Sequence, residues 1–179
     1  MKKIIVTGGA GYIGSHTIIE LITQGYDVVS FDNYCNSSAE TYNRIKNILG
    51  KYVQHEEVDL ANRKDTEIAF NKHSDATGVI HFAALKSVPD SINRPIEYYR
   101  NNNDSLLNVL EQVKKHELKA TIFSSSCSVY GNLKPEQLPV VEETLWNEAE
   151  CSYANSKQMG EDFLRNIAKI TPSNFIALR

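Results

Sequence analysis

The sequence predicts an α/β protein, a doubly wound parallel sheet of about six strands covered by helices on both faces. Three observations lead there. Short apolar, β-branched runs alternate with helix-like segments along the whole chain. A glycine-rich loop, Thr7-Gly8-Gly9-Ala10-Gly11-Tyr12-Ile13-Gly14, joins the first such run to the first helix. An acidic residue, Asp32, closes the second run, 18 residues beyond Gly14.

The elements follow in order. Lys3–Thr7 reads as a buried strand, and Gly14, Ile18, Leu21 and Ile22 fall at helical spacing, with Gly25 placed to end that helix. Asp27–Asp32 is a second strand, followed by a polar helix near Ala39–Leu49. Val53–Val58 is a third strand, Asn62–Asn71 a helix, and Gly78–Phe82 a fourth strand. Pro95 suits a first helical turn. After it, Tyr99, Asn102, Leu106, Val109, Leu110 and Val113 mark one face of a long helix, Ile96–His116. Thr121–Ser124 is a fifth strand, and Gly131–Cys151, with its prolines and glutamates, reads as a long surface loop. Ser152–Ile170 is a helix with Met159, Phe163, Ile167 and Ile170 on its apolar face, and Asn174–Leu178 a sixth strand. The spatial order 3-2-1-4-5-6 follows from this alternation, in one domain over residues 1–179.

Composition narrows the function. With 41% hydrophobic residues the chain can build a core, and a net charge of −3 without basic stripes argues against nucleic acid. No run approaches a membrane span or a secretory signal. The three cysteines form no CxxC pair and the histidines no HxxxH spacing, so no metal site is expected. A cytoplasmic enzyme or binding domain is the expectation that remains.

Gly8, Gly11 and Gly14 have the spacing GxxGxxG, between a strand and a helix. Such glycines let the turn tighten and let backbone N–H groups at a positive helix end approach a pyrophosphate. Asp32 can accept hydrogen bonds from ribose hydroxyls and would repel a 2′-phosphate, which favours NAD over NADP. It could equally be a turn residue. Asp59, at the end of the third strand, is placed either for adenine or for a simple loop. Tyr153 and Lys157 are four apart at a helix start and share a face. An ammonium there favours the phenolate, which makes Tyr153 a candidate base. Ser124-Ser125-Ser126 ends the fifth strand, where a serine can relay the same proton or merely cap the turn.

TGGAGYIGSH at Thr7–His16, FDNYCNS at Phe31–Ser37, HFAALKSV at His81–Val88, YYRNN at Tyr98–Asn102, SSSCSVYG at Ser124–Gly131 and YANSK at Tyr153–Lys157 extend the pattern across the chain. Together they resemble the extended short-chain dehydrogenase/reductase superfamily and, within it, the UDP-glucose 4-epimerase family. The resemblance implies a Rossmann fold with NAD as cofactor. It places Gly8, Gly11, Tyr12, Ile13 and Gly14 at the pyrophosphate, and Asp32, Asn33, Asn36 and Ser37 around the adenosine ribose. Asp59 and Leu60 would border the adenine. Phe82, Ala83, Ala84, Lys86, Asn101 and Ser124 would lie along the middle of the cofactor. Ser126, Tyr153 and Lys157 would be catalytic, Tyr153 and Lys157 also touching the cofactor, with Lys86, Ser126 and Tyr153 meeting the UDP-sugar. It further implies reversible oxidation at sugar C4, interconverting UDP-glucose and UDP-galactose in galactose metabolism. A homodimer through the helices Ile96–His116 and Ser152–Ile170 is implied too. Ala84 stands where many members carry glycine.

Two other readings compete. A nucleotide-sugar dehydratase of the same superfamily typically carries an Asp-Glu pair where this chain has Cys127 and Ser128. A non-catalytic NAD-binding module needs only the first half of the pattern. The resemblance also implies a C-terminal substrate domain that these 179 residues do not include, so the chain alone is expected to be inactive.

Overall fold

In the computed structural model, which describes residues 2–179, strands and helices alternate as β1 (Lys3–Thr7), α1 (Tyr12–Thr23), β2 (Asp27–Asp32), α2 (Glu40–Leu49), β3 (Gln54–Glu57), α3 (Arg63–Lys72) and β4 (Ala76–His81). Then come α4 (Val88–Asn93), α5 (Pro95–Tyr99), a π-helical turn (Arg100–Asp104), α6 (Ser105–Lys115), β5 (Ala120–Ser124), α7 (Ser152–Ile167) and β6 (Asn174–Leu178). The strands form one parallel sheet in the order β3-β2-β1-β4-β5-β6, as expected. β1 is central, with Ile5 opposite Val29 on one side and Val79 on the other.

Successive side chains of a strand point to opposite faces, so neighbours in sequence enter different cores. Ile5, Val29, Phe31 and Val79 pack with Phe70 of α3 and with Val109 and Val113 of α6. Val6 and Val28 pack with Ile18 of α1 and with Tyr42 and Ile45 of α2. A third cluster joins Leu106 and Leu110 of α6, Phe123 of β5 and Leu164 of α7. Burying each such side chain contributes about 1.5–3 kcal/mol. Helix ends follow local chemistry. The Asn62 side chain accepts hydrogen bonds from Lys64 N and Asp65 N and caps α3. Gly50, with φ 68°, closes α2.

Two readings are corrected. The long helix expected from Ile96 to His116 is a rod interrupted by the π-turn at Arg100–Asp104, whose asparagines make side-chain bonds that a periodicity count does not register. The helix expected over Ser152–Ile170 ends at Ile167. α4, with six residues, shows no periodicity, and it rests on Ser87 as N-cap and Pro89 in its first turn. In α7 the apolar stripe is only part of the inward surface, Phe163 and Ile167 packing at the margin of the third cluster. Met159, Phe163 and Ile167 are only half-buried and Ile170 is exposed, whereas Ala154, Lys157, Gly160, Glu161 and Leu164 are buried. Polar bonds, described below, hold that face down.

Candidate active site

The carboxyl ends of β1, β2, β4 and β5 open into one cavity of about 590 Å³. Every residue singled out from the sequence lines it. Gly8, Gly11, Tyr12, Ile13 and Gly14 come from the first loop, and Asp32, Asn33, Asn36 and Ser37 from the end of β2. Asp59 and Leu60 follow β3; Phe82, Ala83, Ala84 and Lys86 follow β4. Asn101, Ser124, Ser126, Tyr153 and Lys157 complete the wall. Ser125 of the serine run lines it too, as do Phe31, Cys35, Val58 and Ser105, which were not foreseen. Their signal was position alone, since each adjoins a residue already placed at a strand end or in the rod. A more open hollow of about 580 Å³ beside α4 and α5 shows no such convergence. Its Arg94 is already paired with Asp90 and Glu97.

Two glycines are required by geometry. Gly8 has φ +67°, and a Cβ there would sit 2.8 Å from Ala83 N. A Cβ on Gly14 would lie 2.3 Å from Gly8 O, so α1 packs directly on its own entry loop. The N-cap of α1 is Gly11, which offers no side-chain cap, and no acidic residue stands in the first turn. The helix therefore presents uncapped N–H groups and its positive end to the cavity, a setting that suits phosphate oxygens. At the end of β2, Asp32 Oδ2 accepts from Ala10 N at 2.9 Å. Its Oδ1 accepts from Tyr34 N at 2.9 Å and from Ser37 Oγ at 2.8 Å. A carboxylate has about four acceptor sites, so Asp32 both ties the glycine loop to β2 and keeps room for a hydroxyl donor. Asp32 thus serves the turn, and that role leaves acceptor capacity for a ligand. Asp59 Oδ1 accepts from Ala61 N at 3.0 Å and is otherwise exposed.

At the other end, Lys157 is 4% exposed, and its Nζ donates to Ser124 O at 2.7 Å. Burial lowers its pKa to about 8. Its ammonium stands 4.7 Å from the Phe123 ring centroid and 5.8 Å from that of Tyr153. Burial raises the Tyr153 pKa, while the Ser126 hydroxyl lowers it. Here the ammonium is directed at the Ser124 carbonyl, and the phenol is partly desolvated. His81 lies below, fully buried, with its Nδ1 2.9 Å from Thr7 Oγ1. Burial lowers its pKa to about 3, so it is neutral near pH 7.

The low Lys157 pKa has a signed consequence. Between pH 8 and the ordinary lysine value of 10.5, the unfolded chain binds more protons than the folded one. Stability relative to Lys157→Met therefore rises across that window, by a total on the order of 3 kcal/mol. Urea unfolding of both chains across the window measures it; a pH-independent difference would contradict the burial of an ammonium.

Asn102, in the π-turn, holds the walls together. Its Oδ1 accepts from Leu85 N at 2.8 Å, and its Nδ2 donates to Leu85 O at 3.0 Å and Ser156 Oγ at 3.1 Å. The segment after β4 is thereby fixed to α7, the helix of Tyr153 and Lys157. Asn102→Ala leaves the Leu85 amide without its partner and is expected to cost about 1–3 kcal/mol of stability. Denaturant midpoints check this, and an unchanged midpoint would refute it.

Among the described residues no group of His, Cys, Asp and Glu could hold a metal ion, and no helix is long and apolar enough to cross a membrane. Comparison with known proteins places the site in context. The family described as NAD dependent epimerase/dehydratase matches residues 4–179. The UDP-glucose 4-epimerase of Erwinia amylovora is 44% identical over 178 residues, 99% of this chain and 52% of that protein. The mouse UDP-glucose 4-epimerase is 39% identical, over 100% of this chain and 53% of its own length. The crystal structure of the Bifidobacterium longum UDP-glucose 4-epimerase, in complex with NAD+ and UDP, superposes with a TM-score of 0.93 at 43% identity. That match covers 99% of this chain and 52% of the other. The chain therefore spans about half the length of the relatives it matches. From the glycine loop to the last strand, it belongs to the NAD dependent epimerase/dehydratase family.

Proposed function

We propose that this chain forms the NAD-holding and proton-transferring part of an enzyme that interconverts UDP-glucose and UDP-galactose, a step of galactose metabolism. The observation that carries the reading is one cavity with a phosphate-accepting helix end and Asp32 at one side and Ser126, Tyr153 and Lys157 at the other. The glycine cradle, which a Cβ at Gly8 or Gly14 would fill, fits a pyrophosphate, and Asp32 fits ribose hydroxyls. Asn33, Asn36 and Ser37 border that ribose; Asp59 and Leu60 border the adenine. Phe82, Ala83, Ala84, Lys86, Asn101 and Ser124 flank the middle of the cofactor, and Lys86 also reaches the substrate.

Bound NAD supplies a hydride acceptor and donor. Tyr153 takes the proton of the sugar 4-hydroxyl and later returns one to the same oxygen, with Ser126 as its hydrogen-bonding partner. Lys157, a charge in a partly dry site, holds the nicotinamide ribose and stabilises the developing phenolate. The reading includes cytoplasmic residence and pairing of two copies through the rod and α7, supported by the exposure of Ile96 and Leu107 on the rod.

Binding of NAD and NADP by calorimetry, in the wild type and in Asp32→Ala, tests the cofactor half. NAD is expected to bind more tightly than NADP, and the preference to shrink in the variant. Tighter NADP binding by the wild type would defeat the assignment. A coupled assay with UDP-galactose tests the rest. The 179 residues alone are expected not to turn over, because remote substrate contacts orient the reacting carbon. The chain joined to the remaining half of the Bifidobacterium longum enzyme should, and an inactive but folded, NAD-loaded chimera would count against the substrate assigned.

A further inference from the structure

α7 meets the end of β5 through a ladder of three side chains one helical turn apart: Tyr153, Lys157 and Glu161. Tyr153 neighbours Ser126. Lys157 Nζ donates to Ser124 O at 2.7 Å. The residue between them, Ser125, is buried and donates its hydroxyl to Glu161 Oε1 at 2.6 Å. Glu161 is 4% exposed, so its carboxylate needs compensation. Arg179, just past β6, supplies it with Nε 3.0 Å from Oε1 and Nη2 2.8 Å from Oε2. The same guanidinium donates to Tyr130 Oη at 3.2 Å and to Glu142 O at 2.6 Å, so the loop before α7 is pinned as well.

Resting on the reading of Tyr153 and Lys157 given above, we infer that Glu161 is a positioning residue. Through Ser125, and itself braced by Arg179, it locks the Ser124–Ser126 segment so that the Ser124 carbonyl meets Lys157 and Ser126 stays beside Tyr153. The backbone that turns here at the end of the strand is also held by Ser125 N to Phe123 O at 3.0 Å and, at Ser126, by Val129 N to Ser126 O at 3.1 Å and Ser128 N to Ser126 Oγ at 3.2 Å, whereas the Ser125 side chain is held by Glu161. Glu161 acts through geometry and not through its charge on Lys157. Arg179 neutralises that charge, and the lowered pKa of Lys157 has burial as its cause. The other groups beside the lysine are His81 from β4, kept neutral, and Tyr153 on its own helix. Releasing Ser125 would let the Ser124 carbonyl swing away and admit water to the ammonium.

The test uses the 179-residue chain with lysines labelled at 13Cε, the Lys157 signal being identified by its loss in Lys157→Met. In the wild type that signal is expected to titrate near pH 8. In Ser125→Ala and in Glu161→Gln it should move up toward the ordinary lysine value by about one unit or more, as rehydration removes the burial effect. Ser125→Thr, which keeps the hydroxyl, should restore it. Circular dichroism reports folding; if Glu161→Gln does not fold, Ser125→Ala decides alone, since it removes one hydroxyl and no charge. An unmoved Lys157 titration in folded Ser125→Ala overturns the inference. NAD binding by the wild type is measured in parallel. Its failure would strike the functional reading, and the titration would still answer whether Glu161 positions the segment.

Discussion

Tyr153→Phe is expected to abolish epimerisation while leaving NAD bound. The phenyl ring of Phe keeps the packing of a half-buried side chain, and the Tyr153 backbone carbonyl still accepts from Ser156 Oγ at 2.7 Å. Only the hydroxyl beside Ser126 is removed, and with it the group proposed to take the 4-hydroxyl proton. General acid–base catalysis is worth roughly 10²–10⁴-fold, and the loss should reach at least the upper end because the phenol so formed also returns the proton in the second half of the reaction. Turnover of UDP-galactose by the joined chain, with NAD content measured by absorbance, checks it. Turnover within tenfold of the parent would remove Tyr153 from the mechanism. The raised pKa of the phenol makes the pH profile informative too: activity should climb from pH 6 toward pH 8, above which Lys157 loses its charge, and a profile flat across that range would speak against a titrating tyrosine.

The second large effect is expected at Gly14. Two opposing terms meet there. Alanine in a helix is favoured over glycine by roughly 0.5–1 kcal/mol. Against this stands a Cβ 2.3 Å from Gly8 O and 2.7 Å from Gly9 Cα, both backbone atoms that cannot swing aside. Overpacking of this kind costs typically about 1–3 kcal/mol, so the clash wins. Gly14→Ala should lower the unfolding midpoint and reduce NAD affinity at least tenfold, since α1 can relieve the contact only by lifting off the loop that it caps. A more stable variant with intact NAD binding would show that the loop is far softer than its contacts imply.

The sheet was legible because its signals are local. Six apolar runs with turn residues between them specify strands, and alternation with helices specifies a parallel order. The cavity was legible for the same reason, since parallel strands deliver their carboxyl ends to one edge. Tertiary polar bonding was not legible. Nothing in SYANSKQMGED marks Lys157 and Glu161 as buried, and the apolar stripe of Met159, Phe163 and Ile167 shows only the margin of the face that packs inward. The buried polar face exists because Ser124, Ser125 and Arg179 meet it from β5 and β6, partners remote in sequence. Asn102 was read by its place in a helical stripe, whereas its position comes from the Leu85 backbone and Ser156. Spacing shows that a lysine shares the face of Tyr153, not where the ammonium points.

The position of β1 at the centre of the sheet also sets an order of assembly. β1 pairs with β2 across a separation of about 24 residues, Lys3 with Asp27, but meets β4 only at a separation of about 74, Ile4 with Gly78. A chain leaving the ribosome can close β1 on β2, then add β3, long before β4 exists. The first three strands carry the glycine loop and Asp32, so the nucleotide end of the cavity is complete in outline before the Tyr153 end has been synthesised. Under the proposed roles, synthesis therefore delivers the residues for the nucleotide, the glycine loop and Asp32, first, and Tyr153 and Lys157 last.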